Sequence, residues 1–79
     1  MYKREPHGFK IGDLIINKTA KVLFSSDINV LYYGLFFIQV EIGEVFIIID
    51  VSSAHVTVTT ERGDVGWQSA HHFKILQKS

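Results

Sequence analysis

The chain has 79 residues, eight basic and eight acidic side chains, four histidines and no cysteine. That length supports one small domain, and the missing cysteines exclude disulfides and thiolate metal sites. Zero net charge removes long-range attraction to nucleic acid or to an anionic membrane. The charge is uneven: Glu41, Glu44, Asp50, Glu61 and Asp64 face only Arg62 in residues 41–64, while Lys3, Arg4 and Lys10 gather near the start. A domain this small buries only about 60–65% of its unfolded surface, so its core is marginal. With 47% hydrophobic residues, the chain must pack an unusually apolar core or associate.

Residues 1–8 are polar, contain Pro6 and Gly8, and read as a flexible lead-in. No apolar stretch follows to make a signal peptide, so the expected location is cytoplasmic. Residues 9–79 are then the single folded domain. Gly12-Asp13 marks a turn, and Leu14, Ile15 and Ile16 begin a first strand. Residues 18–26 form a weaker strand, with Val22 and Phe24 on one face and Leu23 on the other. Ser25, Ser26, Asp27 and Asn29 make a turn cluster. Residues 30–38, VLYYGLFFI, are the longest apolar run, well short of the roughly 20 residues a spanning helix needs.

Residues 35–42 alternate, with Phe36, Ile38, Val40 and Ile42 on one face. Gly43-Glu44 turns the chain into a strand at 45–51 that is apolar on both faces. We assign Val45, Ile47, Ile49 and Val51 inward and Phe46, Ile48 and Asp50 outward. A short connection at Ser52 to Ala54 leads to a strand at 55–60, with Val56, Val58 and Thr60 on one side. Arg62-Gly63-Asp64 turns into a short strand at 65–69. Residues 70–72 fit one turn of 3₁₀ helix, and 73–77 a closing strand. Short strands at regular spacing, with no helical period, predict an all-β domain.

The residues Gly12-Asp13-Leu14-Ile15, then 45–51, then Gly63-Asp64-Val65-Gly66-Trp67-Gln68-Ser69, then 73–76, stand in an order that resembles the small SH3-like barrel proteins of tailed phages and marine cyanophages. The resemblance covers residues 9–77, with an insertion at 18–42, and implies a five-stranded SH3-like barrel. At the level of fold the chain also resembles the Sm-like barrels, which assemble into rings and bind RNA. Arg62-Gly63 stands near the place of the Sm-like Arg-Gly motif but follows Thr60-Glu61, which is not that pattern. No RNA-contacting residue is carried over from that family.

No catalytic, cofactor or metal motif stands out. His71, His72, His55 and His7 are the only histidines, and adjacent histidines do not converge easily on one ion. Ser52, Ser53 and Ser69 lie near His55 and His71 in sequence, but nothing sets a nucleophile beside a base. The expectation is a non-enzyme without cofactor or metal. Trp67 is expected to seal one end of the barrel, its alternative being a stacking residue on the surface. The apolar excess at Tyr32, Tyr33, Phe36, Phe37, Phe46 and Ile48 predicts a subunit interface, hence a homo-oligomer, with a ring as one form. Lys3, Arg4, Lys10, Lys74 and Lys78 are the candidate contacts for RNA or other nucleic acid. Two functions follow: an oligomeric binding and assembly module of Sm-like type, or an SH3-like adaptor of phage origin that binds a host or virion protein.

Overall fold

The computed structural model describes residues 7–25 and 37–79. Seven strands follow in order: β1 Leu14–Asn17, β2 Val22–Ser25, β3 Phe37–Gln39, β4 Val45–Val51, β5 His55–Thr59, β6 Val65–Ser69 and β7 Phe73–Gln77. One 3₁₀ turn, Ala70–His72, joins β6 to β7. All strands belong to one antiparallel sheet of order β3-β2-β6-β5-β4-β1-β7, whose two end strands are not paired with each other. The five-stranded closed barrel is therefore corrected to a seven-stranded sheet. The expected insertion at 18–42 supplies two of the strands, and β2 binds directly to β6, with Phe24 opposite Trp67 and Ser25 opposite Gly66.

The sheet is forced to curl. β3 and β4 lie four strand positions apart, about 19 Å in a flat sheet. The six steps from Gln39 to Val45 would reach about 20 Å only if fully extended, and they are not, because the Glu44 amide bonds the Glu41 carbonyl across a turn. β1 and β2 are also four positions apart, and the five steps from Asn17 to Val22 reach about 17 Å at most. The inner face is covered by the curl together with residues outside the strands, Phe9, Ala20, Val40 and Ala70, which belong to the same core. Ile15, Leu23, Val56 and Val58 have no exposed surface, and Phe46 and Ile48 almost none. Phe46 meets Phe73 edge-on in this core, with ring centres 5.9 Å apart.

One residue fastens the curl. Asn17 is buried, and its Nδ2 donates to the carbonyls of Ala20 at 2.7 Å and Glu41 at 2.8 Å. Its Oδ1 accepts from the Ala20 amide at 2.8 Å. The end of β1, the approach to β2 and the β3–β4 turn thus meet on one side chain whose donors and acceptor are all used. At the other end of β1, Asp13 is buried and accepts from the amides of Lys10 at 3.0 Å and Ser79 at 2.8 Å.

β4 presents the face opposite to the expected one. Phe46 and Ile48 are core residues, while Ile47 and Ile49 are 45% and 42% exposed. A strand apolar on both sides carries no period to fix its face, so its partners decide. Phe46 lies opposite Ile15, Ile48 lies opposite Val58, and a bulge at Ile49 shifts the register beyond them. The expected strand at 35–42 ends at Gln39, because residues 41–44 turn back and leave Ile42 exposed; residues 35 and 36 lie outside the described residues. The lead-in also ends earlier than expected. His7 Nε2 lies 2.6 Å from the Ser52 carbonyl, and the Phe9 amide donates to His7 Nδ1 at 3.0 Å. Gly8, at φ +76°, makes the bend that brings those two rings together, 5.3 Å apart.

Candidate functional site

The outer face of β3-β2-β6-β5 carries a row of aromatic rings. In β6, Gly66 and Gln68 point into the core, so Trp67 faces outward with Val65 and Ser69. The expectation that Trp67 seals one end of the barrel is corrected by this alternation, which fits the alternative of a residue on the outer face. Gly66 is required on the inner side: a Cβ there would stand 2.8 Å from Leu23 Cβ and 2.8 Å from the Phe24 carbonyl oxygen. That close approach of β6 to β2 sets Trp67 directly beside Phe24. Their ring centres are 4.7 Å apart, Phe24 lies 5.4 Å from Phe37, and His55 lies 4.8 Å from Trp67. Phe37 is 49% exposed at the sheet edge, and the other three rings are half-buried.

Polar groups border this row. Thr57 is opposite Trp67, and Asp50 opposite Thr57. Arg62 donates from Nη2 to the Gln39 carbonyl at 3.1 Å, and its Nε lies 3.5 Å from Asp64 Oδ2. Beyond the polar border a second apolar group begins, where Leu14 and Thr59 flank the exposed Ile47. The bulged Ile49 stands out beside it.

Of the expected interface residues, Phe37 is on the surface, whereas Phe46 and Ile48 are core and cannot meet a partner in the folded chain. Tyr32, Tyr33 and Phe36 lie outside the described residues, as do Lys3 and Arg4. Lys74 is exposed on β7 opposite Ile16. Lys10 and Lys78 sit at or next to the residues whose amides bind Asp13. These three lysines belong to the β1–β7 end of the sheet, away in strand order from the aromatic row.

The histidines serve separate local tasks. His55 lies on Trp67, while the Ser52 hydroxyl bonds the His55 main chain, so the two do not form a nucleophile and base. His72 Nδ1 is 2.7 Å from Thr19 Oγ1. Burial, helped by the neighbouring His71, holds the His72 imidazole below its ordinary value of 6.5. At Asp13, burial opposes ionisation, but the Ser79 and Lys10 hydrogen bonds and the Lys10 charge outweigh it and hold the carboxyl below 3.8. Among the described residues no three His, Asp or Glu side chains gather as metal ligands, and no helix is long and apolar enough to cross a membrane.

Comparison with protein families, with curated proteins and with solved structures finds no match to this chain. The candidate site therefore rests on its own geometry. Sequence reasoning missed the aromatic row because it assigned Trp67 inward. The signal was present in Gly66 and Gln68: a glycine that permits close strand approach, and a glutamine whose amide reaches the Val22 carbonyl at 3.0 Å from inside.

Proposed function

We propose that this chain is a non-catalytic binding module, a small curled β-sheet domain, that recognises a protein partner through Phe37, Phe24, Trp67 and His55. The observation that supports this is the contiguous row of rings on a solvent-facing sheet surface. Aromatic side chains normally serve a small core, and recognition surfaces are enriched in them. A nucleic-acid reading requires cations beside the stacking rings. Lys10, Lys74 and Lys78 lie toward the other end of the sheet; among the described residues Lys21 and Arg62 are the cations beside β2 and β3, and Arg62 is already engaged. That favours the adaptor over the RNA-binding ring.

Selection of short random peptides displayed on phage against the folded chain tests the proposal. Enriched peptides should lose binding to the Trp67→Ala and Phe37→Ala variants. Sub-micromolar binding of oligothymidylate, unaffected by Trp67→Ala, would overturn it. A second reading, self-association, is favoured by the exposed Ile47 and Ile49. Those residues lie on an outer strand face that monomeric small barrels fill with polar side chains.

A further inference from the structure

A groove on a different part of the molecule has the build of a ligand site. It runs between residues 7–9, the β4–β5 turn, Lys18 and the 3₁₀ turn, with a volume of about 490 Å³. Its floor is Phe9, Ala70 and Phe73, which are core residues. Its rim carries Lys18, Ser53 and His71. The side chains of these three make no hydrogen bond or ion pair with the described residues, and among the described residues no carboxylate lines the groove.

Its walls are tied to one another. His7 Nε2 meets the Ser52 carbonyl at 2.6 Å, and the Ala70 amide donates to the Ala54 carbonyl at 3.0 Å. The Lys18 amide donates to the His72 carbonyl at 2.8 Å. Each wall is thus held by a bond to the next, so the groove exists before any ligand arrives. An apolar floor with a few convergent polar groups on a preformed frame is the general form of a binding site.

We propose that this groove captures the free C-terminus of a peptide whose last side chain is apolar. The carboxylate takes the Lys18 ammonium, the Ser53 hydroxyl and the His71 ring N–H, all of which donate. The apolar side chain lies on Phe9, Ala70 and Phe73. The β4–β5 turn adds the amides of Ser53 and Ala54, which have no backbone acceptor among the described residues, and unpaired main-chain amides suit a carboxylate or a peptide carbonyl. A rim whose described residues include a lysine and no acidic side chain matches an anion, and the groove's open flank suits a peptide that continues into solvent.

This site is independent of the aromatic row, and its test separates the two. Acetyl-Gly-Phe with a free carboxylate is titrated into the chain and followed in nitrogen–proton correlation spectra, beside the same dipeptide as its carboxamide and beside 3-phenylpropionate. Saturable shifts at Lys18, Ser53 and His71 are expected for the peptide acid. Lys18→Met and Ser53→Ala, both at exposed positions that leave the fold standing, should each weaken it by about tenfold, or about 1.4 kcal/mol. Trp67→Ala should leave it unchanged. Equal binding of the carboxamide, 3-phenylpropionate binding as tightly as the peptide, or no saturable shift below millimolar concentration would overturn the proposal.

Discussion

At the scale of single residues, Gly66 and Trp67 are the inner and outer sides of one constraint. A Cβ at Gly66 has no room between Leu23 and the Phe24 carbonyl, so β6 must move away from β2. Overpacking of this kind typically costs about 1–3 kcal/mol. Gly66→Ala is expected to lower stability by that amount in urea unfolding, and to weaken Trp67–Phe24 contact in near-ultraviolet circular dichroism. Trp67→Ala removes no core packing. It forfeits contacts with Phe24 and His55, and aromatic pairs contribute about 0.5–1.5 kcal/mol each beyond their area. The variant should remain folded and lose about 1–3 kcal/mol, below the roughly 3–5 kcal/mol of a fully buried Trp. An unfolded Trp67→Ala protein would return that side chain to the interior.

At the scale of elements, the connections are secured by two buried polar side chains. Asn17→Leu removes three hydrogen bonds that join β1, the approach to β2 and the β3–β4 turn. Each buried backbone group left unpaired costs about 1–3 kcal/mol, so this variant should unfold, or melt far below the parent in calorimetry. Asp13 joins the start of β1 to Lys10 and Ser79. Its carboxyl is held below 3.8 in the fold. A lowered acid contributes stability above its unfolded value and loses it as the pH falls through the folded value. Stability should therefore drop as the pH is taken below about 3.8, and Asp13→Asn should show a shallower acid dependence in unfolding followed by fluorescence of Trp67.

At the scale of the whole molecule, the outer face decides whether the chain stands alone. Phe37, Ile47 and Ile49 are large apolar side chains that the fold leaves in solvent. We expect more than one subunit at micromolar concentration by light scattering behind a sizing column, and Ile47→Lys should shift the mass toward one subunit without unfolding the protein. A single-subunit mass that persists at high concentration would remove the self-association reading. Any nucleic-acid binding should be weak and salt-sensitive, with a slope of about −0.9 per duplex phosphate neutralised or about −0.7 on single strands.

Local chemistry was legible from the residues alone. The strand at 45–51, the strand at 65–69, the 3₁₀ turn at 70–72 and the last strand at 73–77 all lie where turn residues and alternation put them. These features depend on neighbours in the chain, and period and turn chemistry report neighbours. What the tertiary structure decided depends on partners far away in sequence. The face of β4 follows from Ile15 and Val58, because Phe46-Ile47-Ile48-Ile49 is equally apolar on either side. The outward side of Trp67 follows from the packing of Gly66 against Leu23. The role of Asn17 exists only once the sheet curls and brings Glu41 to its side chain. Register and curl are settled by long-range pairing, and a one-residue change in register exchanges the faces of a strand.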